Sequence, residues 1–71
     1  MVQDGMRMGE TELEMVQRHV RQGEEHVLRQ CEIIAHLEFQ KLPTDLAESL
    51  LFNFGETLRA HEDHLERLIT N

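Results

Sequence analysis

A chain of 71 residues allows one small domain at most, near the size where a single core only just offsets chain entropy. Hydrophobic residues make up 39% and aromatics only 4%, with no Trp or Tyr, so any core is aliphatic; one proline and a wealth of Leu, Glu, Arg, Gln and His predict an all-α protein. The net charge of −7 argues against binding a phosphate backbone, and lone Cys31 excludes an internal disulfide and fits a reducing cytoplasm.

Met1 to Glu10 reads as a flexible polar arm without the apolar stretch of a signal peptide. The hairpin is then expected over residues 11–71. Thr11-Glu12-Leu13-Glu14 has the pattern of a capping box, opening a helix that should run over about 12–41, with Gly23 the single residue opposing it. Acid-first pairs Glu14/Arg18 and Glu25/Arg29 are expected on its exposed side. Pro43 disfavours helical geometry at Leu42, so the turn falls at 42–44. Thr44 or Asp45 then caps a second helix over about 45–70, with Glu48 placed to complete a box for Asp45. So short a connection forces the helices antiparallel and adjacent. No apolar run approaches the ~20 residues needed to span a bilayer.

Each helix carries two overlapping apolar stripes. On the first, Leu13, Val20, Val27 and Ile34 are plainly apolar, while Val16, His19, Gly23, His26, Gln30, Ile33 and Leu37 form a stripe that is polar in its middle. The second helix pairs Leu51, Phe54, Leu58, His61, Leu65 and Leu68 with a stripe through Leu50, Thr57 and His64. These faces are wider than a two-stranded seam needs, so the expected assembly is a homodimer of hairpins forming a four-helix bundle. Phe39 and Phe52 lie off the stripes, where they could cover the turn end or a second contact.

Centring the pairing on Pro43 sets His19 and His26 against His61 and His64, Gln30 against Thr57, and Gly23 against the gap between His61 and His64. Three readings attach to this layer. As a register device, buried histidines bond to each other, to Gln30, Thr57 and water, at some cost in stability. As a metal site, His61 and His64 share one helix face, and His19 or His26 supplies a further zinc ligand, with Gln30 and Thr57 orienting the rings. As a pH sensor, the layer acquires repelling charges below about pH 7. No Glu stands three residues before an inward histidine, which argues against a carboxylate-bridged di-iron centre. No catalytic triad or phosphate loop is present, Cys31 is expected to pack as a small hydrophobe, and His36 to be solvated. The chain therefore reads as a non-enzymatic interaction or regulatory module without a required cofactor, with a possible protein partner besides its own copy and no nucleic acid or membrane.

The residues His19-Val20, Gly23, His26-Val27, Gln30, Leu50-Leu51, Phe54, Thr57-Leu58, His61 and His64 together resemble a group of small bacterial helical-hairpin proteins of uncharacterised activity. The likeness spans about residues 12–69 and implies the hairpin; it implies no mechanism. Cys31 and Gly55 depart from the charged residues usual in that group.

Overall fold

The structure is a computed structural model that describes residues 7–70. It consists of two helices, α1 (Glu12–Phe39) and α2 (Asp45–Thr70), packed against each other as an antiparallel hairpin about 46 Å long. Residues 1–6 of the expected polar arm lie outside the described residues.

α1 starts where its capping box directs. The Thr11 hydroxyl accepts from the Glu14 amide at 3.1 Å, and the Glu14 carboxylate accepts from the Thr11 amide at 2.9 Å. Before it, Arg7 to Glu10 form a tight turn closed by the Glu10 amide on the Arg7 carbonyl at 2.9 Å. Gly9 supplies the left-handed φ of +80° that this turn needs. The turn is anchored to the helix because the Arg18 guanidinium donates to both carboxylate oxygens of Glu10, at 3.0 and 3.1 Å. That contact holds the Glu10 carboxyl down from its ordinary 4.5 to about 2, with the Arg7 amide helping. Arg18 is therefore buried, and the expected surface pair with Glu14 does not form, since the capping box occupies Glu14.

The C-terminus of α1 is a Schellman stop. The Leu42 amide donates to the Leu37 carbonyl at 2.9 Å and the Lys41 amide to the Glu38 carbonyl at 3.0 Å, with Lys41 in the left-handed region at φ 61°. This stop uses residues 40–42 before Pro43, so α1 ends at Phe39 and the connection is longer than the two or three residues expected. Lys41 bears a Cβ where glycine is the usual choice. Lys41→Gly is therefore expected to stabilise the hairpin by about 0.5–1 kcal/mol, read as a raised thermal midpoint. At the start of α2, Thr44 takes the capping place: its carbonyl accepts the Glu48 amide at 2.8 Å and its hydroxyl bonds the Glu48 carboxylate at 2.8 Å. Glu48 thus serves Thr44 rather than Asp45.

The register also differs from one centred on Pro43. Facing pairs are His19/His61, Gly23/Leu58 and His26/Phe54, centred near residue 40 rather than on Pro43. Gly23 allows the close approach, because a Cβ there would stand 3.0 Å from Leu58 Cδ1. Among the described residues the buried apolar side chains are Val16 and Ala47 alone, while Arg18, His19 and Gln30 are buried and polar. No described helix is long and apolar enough to cross a membrane.

Candidate functional site

Two polar contacts interrupt the mainly aliphatic seam between the helices, His19 with His61 and Gln30 with the Ala47 carbonyl. His19 is buried and its ring centroid is 4.7 Å from that of His61, with the planes tilted by 46°. Among the described residues this is the cross-helix histidine pair. His26 is exposed, and its ring leans on Phe54 at 5.6 Å. His64 meets the first turn of α1, where its Nε2 is 3.1 Å from Glu12 Oε2.

The four histidines are therefore distributed over successive levels of the seam rather than gathered. Helical rise explains the spread: seven residues separate His19 from His26 by about 10.5 Å, and three separate His61 from His64 by about 4.5 Å. Among the described residues, no group of three or more His, Cys, Asp or Glu side chains is arranged to hold a metal ion. The hairpin supplies at most the two imidazoles of His19 and His61 at one level.

Gln30 is buried, but not against Thr57. Its Nε2 donates to the Ala47 carbonyl at 2.9 Å, a bond from the middle of α1 to the first turns of α2. Thr57 is exposed and Gly23 faces Leu58, so neither supports a ring in the way a pairing centred on Pro43 requires. The cause is the register, in which each partner on α2 lies nearer the turn than a pairing centred on Pro43 would place it. Cys31 is exposed rather than packed as a small core hydrophobe, and His36 is exposed as expected.

Two participants escaped the sequence reading. Glu12 reads as an ordinary acid in the first helical turn, yet it becomes the partner of His64. Ala47 has no polar side chain, and its role comes from its backbone. Glu12 was legible only through a corrected register; nothing in the residue type of Ala47 could have marked it.

What the layer can do chemically follows from these contacts. It holds two imidazoles side by side and one Gln–carbonyl bond across the helices. Comparisons with protein-family models, curated proteins and solved structures found no match, so the function has to be read from the chain's own geometry.

Proposed function

We propose that this chain is a non-enzymatic helical-hairpin interaction module that self-associates into a dimeric four-helix bundle, with its histidine and glutamine layer fixing helix register. The observation that carries this is the small core. Val16 and Ala47 are the buried apolar side chains among the described residues, whereas Leu28, Phe52 and Ile69 are 63%, 67% and 63% exposed. Burial of apolar surface is the main term favouring a fold, and a hairpin with so little of it needs a second copy to supply the rest. Sedimentation equilibrium tests the reading directly, and the thermal midpoint should climb as protein concentration is raised over about two decades. A monomer with a concentration-independent midpoint would overturn it.

The adjacent rings of His19 and His61 favour one second reading, a divalent transition-metal site. Two imidazoles are half of a tetrahedral set, so further ligands must come from a second copy, from water or from His64 after it leaves Glu12. An ion held only by the folded state raises the midpoint, by about 2.7 kcal/mol of stability at a hundredfold excess over its dissociation constant. Zinc or nickel titration with wild type and with His61→Ala separates this reading from a purely structural layer: a shift lost in the variant supports metal, and no shift in either removes it.

A further inference from the structure

On the side of the hairpin away from His26 and His64, α2 presents Phe52, Gly55, Arg59, Glu62, Glu66 and Ile69. Their alternating three- and four-residue spacing keeps them on one helical stripe. α1 lines the same side with Leu13, Gln17, Val20, Glu24 and Leu28. A shared groove shows that the stripes adjoin, since Val20 lines it together with Glu62, Leu65, Glu66 and Ile69.

Gly55 is the feature the hairpin itself does not explain. Gly in a helix interior costs about 0.5–1 kcal/mol relative to Ala, and at Gly23 the closeness of Leu58 accounts for it. At Gly55 an added Cβ would meet nothing within 4 Å. The position is smooth and open, as a close approach from outside requires. Arg59 and Glu62 are exposed and take no part in the described ion pairs, Arg18–Glu10 and His64–Glu12.

The pattern on this side is its own complement when reversed. Phe52 and Ile69, Gly55 and Glu66, and Arg59 and Glu62 are each placed symmetrically about the midpoint between Ala60 and His61. On α1, Leu13 and Leu28, and likewise Gln17 and Glu24, are symmetric about the midpoint between Val20 and Arg21. The facing pairs His19/His61 and Gly23/Leu58 bring those two midpoints to the same level. A two-fold contact requires that if one residue meets another across the interface, the converse pair also forms.

We infer that the partner on this face is a second copy of the chain, antiparallel to the first, with α2 against α2 and α1 against α1 and the two-fold axis passing at those midpoints. This rests on the self-association proposed above and names its face and direction. Phe52 of each copy then covers Ile69 of the other, Leu13 covers Leu28, Arg59 pairs with Glu62, and the stem of Glu66 lies along Gly55. The one cation of this face, Arg59, stands where the two-fold places Glu62 of the other copy, while Glu66 and Glu24 fall opposite the uncharged Gly55 and Gln17.

Charge reversal provides the test, by sedimentation equilibrium at low salt with helicity checked for every variant. Arg59→Glu and Glu62→Arg, each placing like charges together twice, should each raise the dimer dissociation constant at least about tenfold. The double variant Arg59→Glu/Glu62→Arg should return it to within about threefold of wild type, because the swapped pairs re-form in a two-fold contact. Gly55→Ala should weaken the dimer although it raises intrinsic helix propensity. Spin labels at Cys31 should lie about 30 Å apart or more, since the two sites are about 21 residues apart along the bundle.

Failure of the double variant to restore association, or labels closer than about 20 Å, overturns the arrangement. So does a dimer weakened by Leu46→Ala and Leu50→Ala but untouched by Phe52→Ala, which would locate the contact on the histidine side while leaving self-association intact. A monomer at every concentration overturns both proposals together.

Discussion

Gly23→Leu should lose most of the stability of the hairpin, about 2–3 kcal/mol, against a total that a chain this small rarely raises above about 3–5 kcal/mol. A Cβ at Gly23 already comes to 3.0 Å from Leu58 Cδ1, 3.4 Å from its Cβ and 3.6 Å from its Cα. One methyl can be met by a rotation at the flexible tip of Leu58. Gly23→Ala should therefore change stability by no more than about 0.5 kcal/mol, as the gain in helix propensity offsets the crowding. A leucine adds three more carbons where the backbone of α2 stands, and the helices must part. The contacts on either side, His19 with His61 and His26 with Phe54, open with them. Urea or thermal melts followed by circular dichroism decide the matter: equal midpoints for Gly23→Leu and wild type would show that the close approach carries no energy.

Gln30→Glu should cost about 3 kcal/mol at neutral pH, because it places an uncompensated carboxylate in a buried site. The Gln30 amide now donates to the Ala47 carbonyl at 2.9 Å; an ionised carboxyl has no proton to give and faces that oxygen instead. Desolvation and the carbonyl both favour the neutral form, so the introduced carboxyl has a folded pKa above its unfolded value of about 4.3. The sign follows from linkage. Stability of the variant is fullest below about pH 4.3, where the protonated carboxyl can donate as the amide did, and it is lost as pH rises through the raised folded pKa. Gln30→Leu should lose only about 1 kcal/mol with no such pH dependence of its own, since the carbonyl keeps its bond within α2. Midpoints of both variants at pH 4 and pH 7, each compared with wild type, separate a buried hydrogen bond from a merely space-filling side chain.

These two positions also show how far the candidate site could be foreseen. Gly23 and Gln30 stood out in the sequence as anomalies on an apolar stripe, and both are at the helix contact. Their partners, Leu58 and Ala47, did not stand out. Hydrophobic spacing places a residue on a face with little ambiguity, but it says nothing about where along the partner helix that face lands. The landing point is set by how the two helices pack around the connection, and Lys41 taking a left-handed conformation there is a poor guess from residue type alone. The same displacement separates His26 from His64 and leaves Thr57 outside the layer. His19 and His61 meet because both lie at the same distance from residue 40, the level on which the facing pairs centre.

The two helices, the capping box at Thr11 and the break near Pro43 were determined by the sequence itself, because each depends on residues within a few positions of one another. Backbone hydrogen bonding, side-chain capping and the steric effect of proline all act over that range. Which histidine meets which side chain was decided only by the tertiary structure. A helix transmits a small change at its terminus along its whole length: about 1.5 Å of rise and 100° of rotation for every residue of slip. Where two facing histidine pairs were expected, the register leaves one pair, His19 with His61, one ring against Phe54 and one histidine held by Glu12.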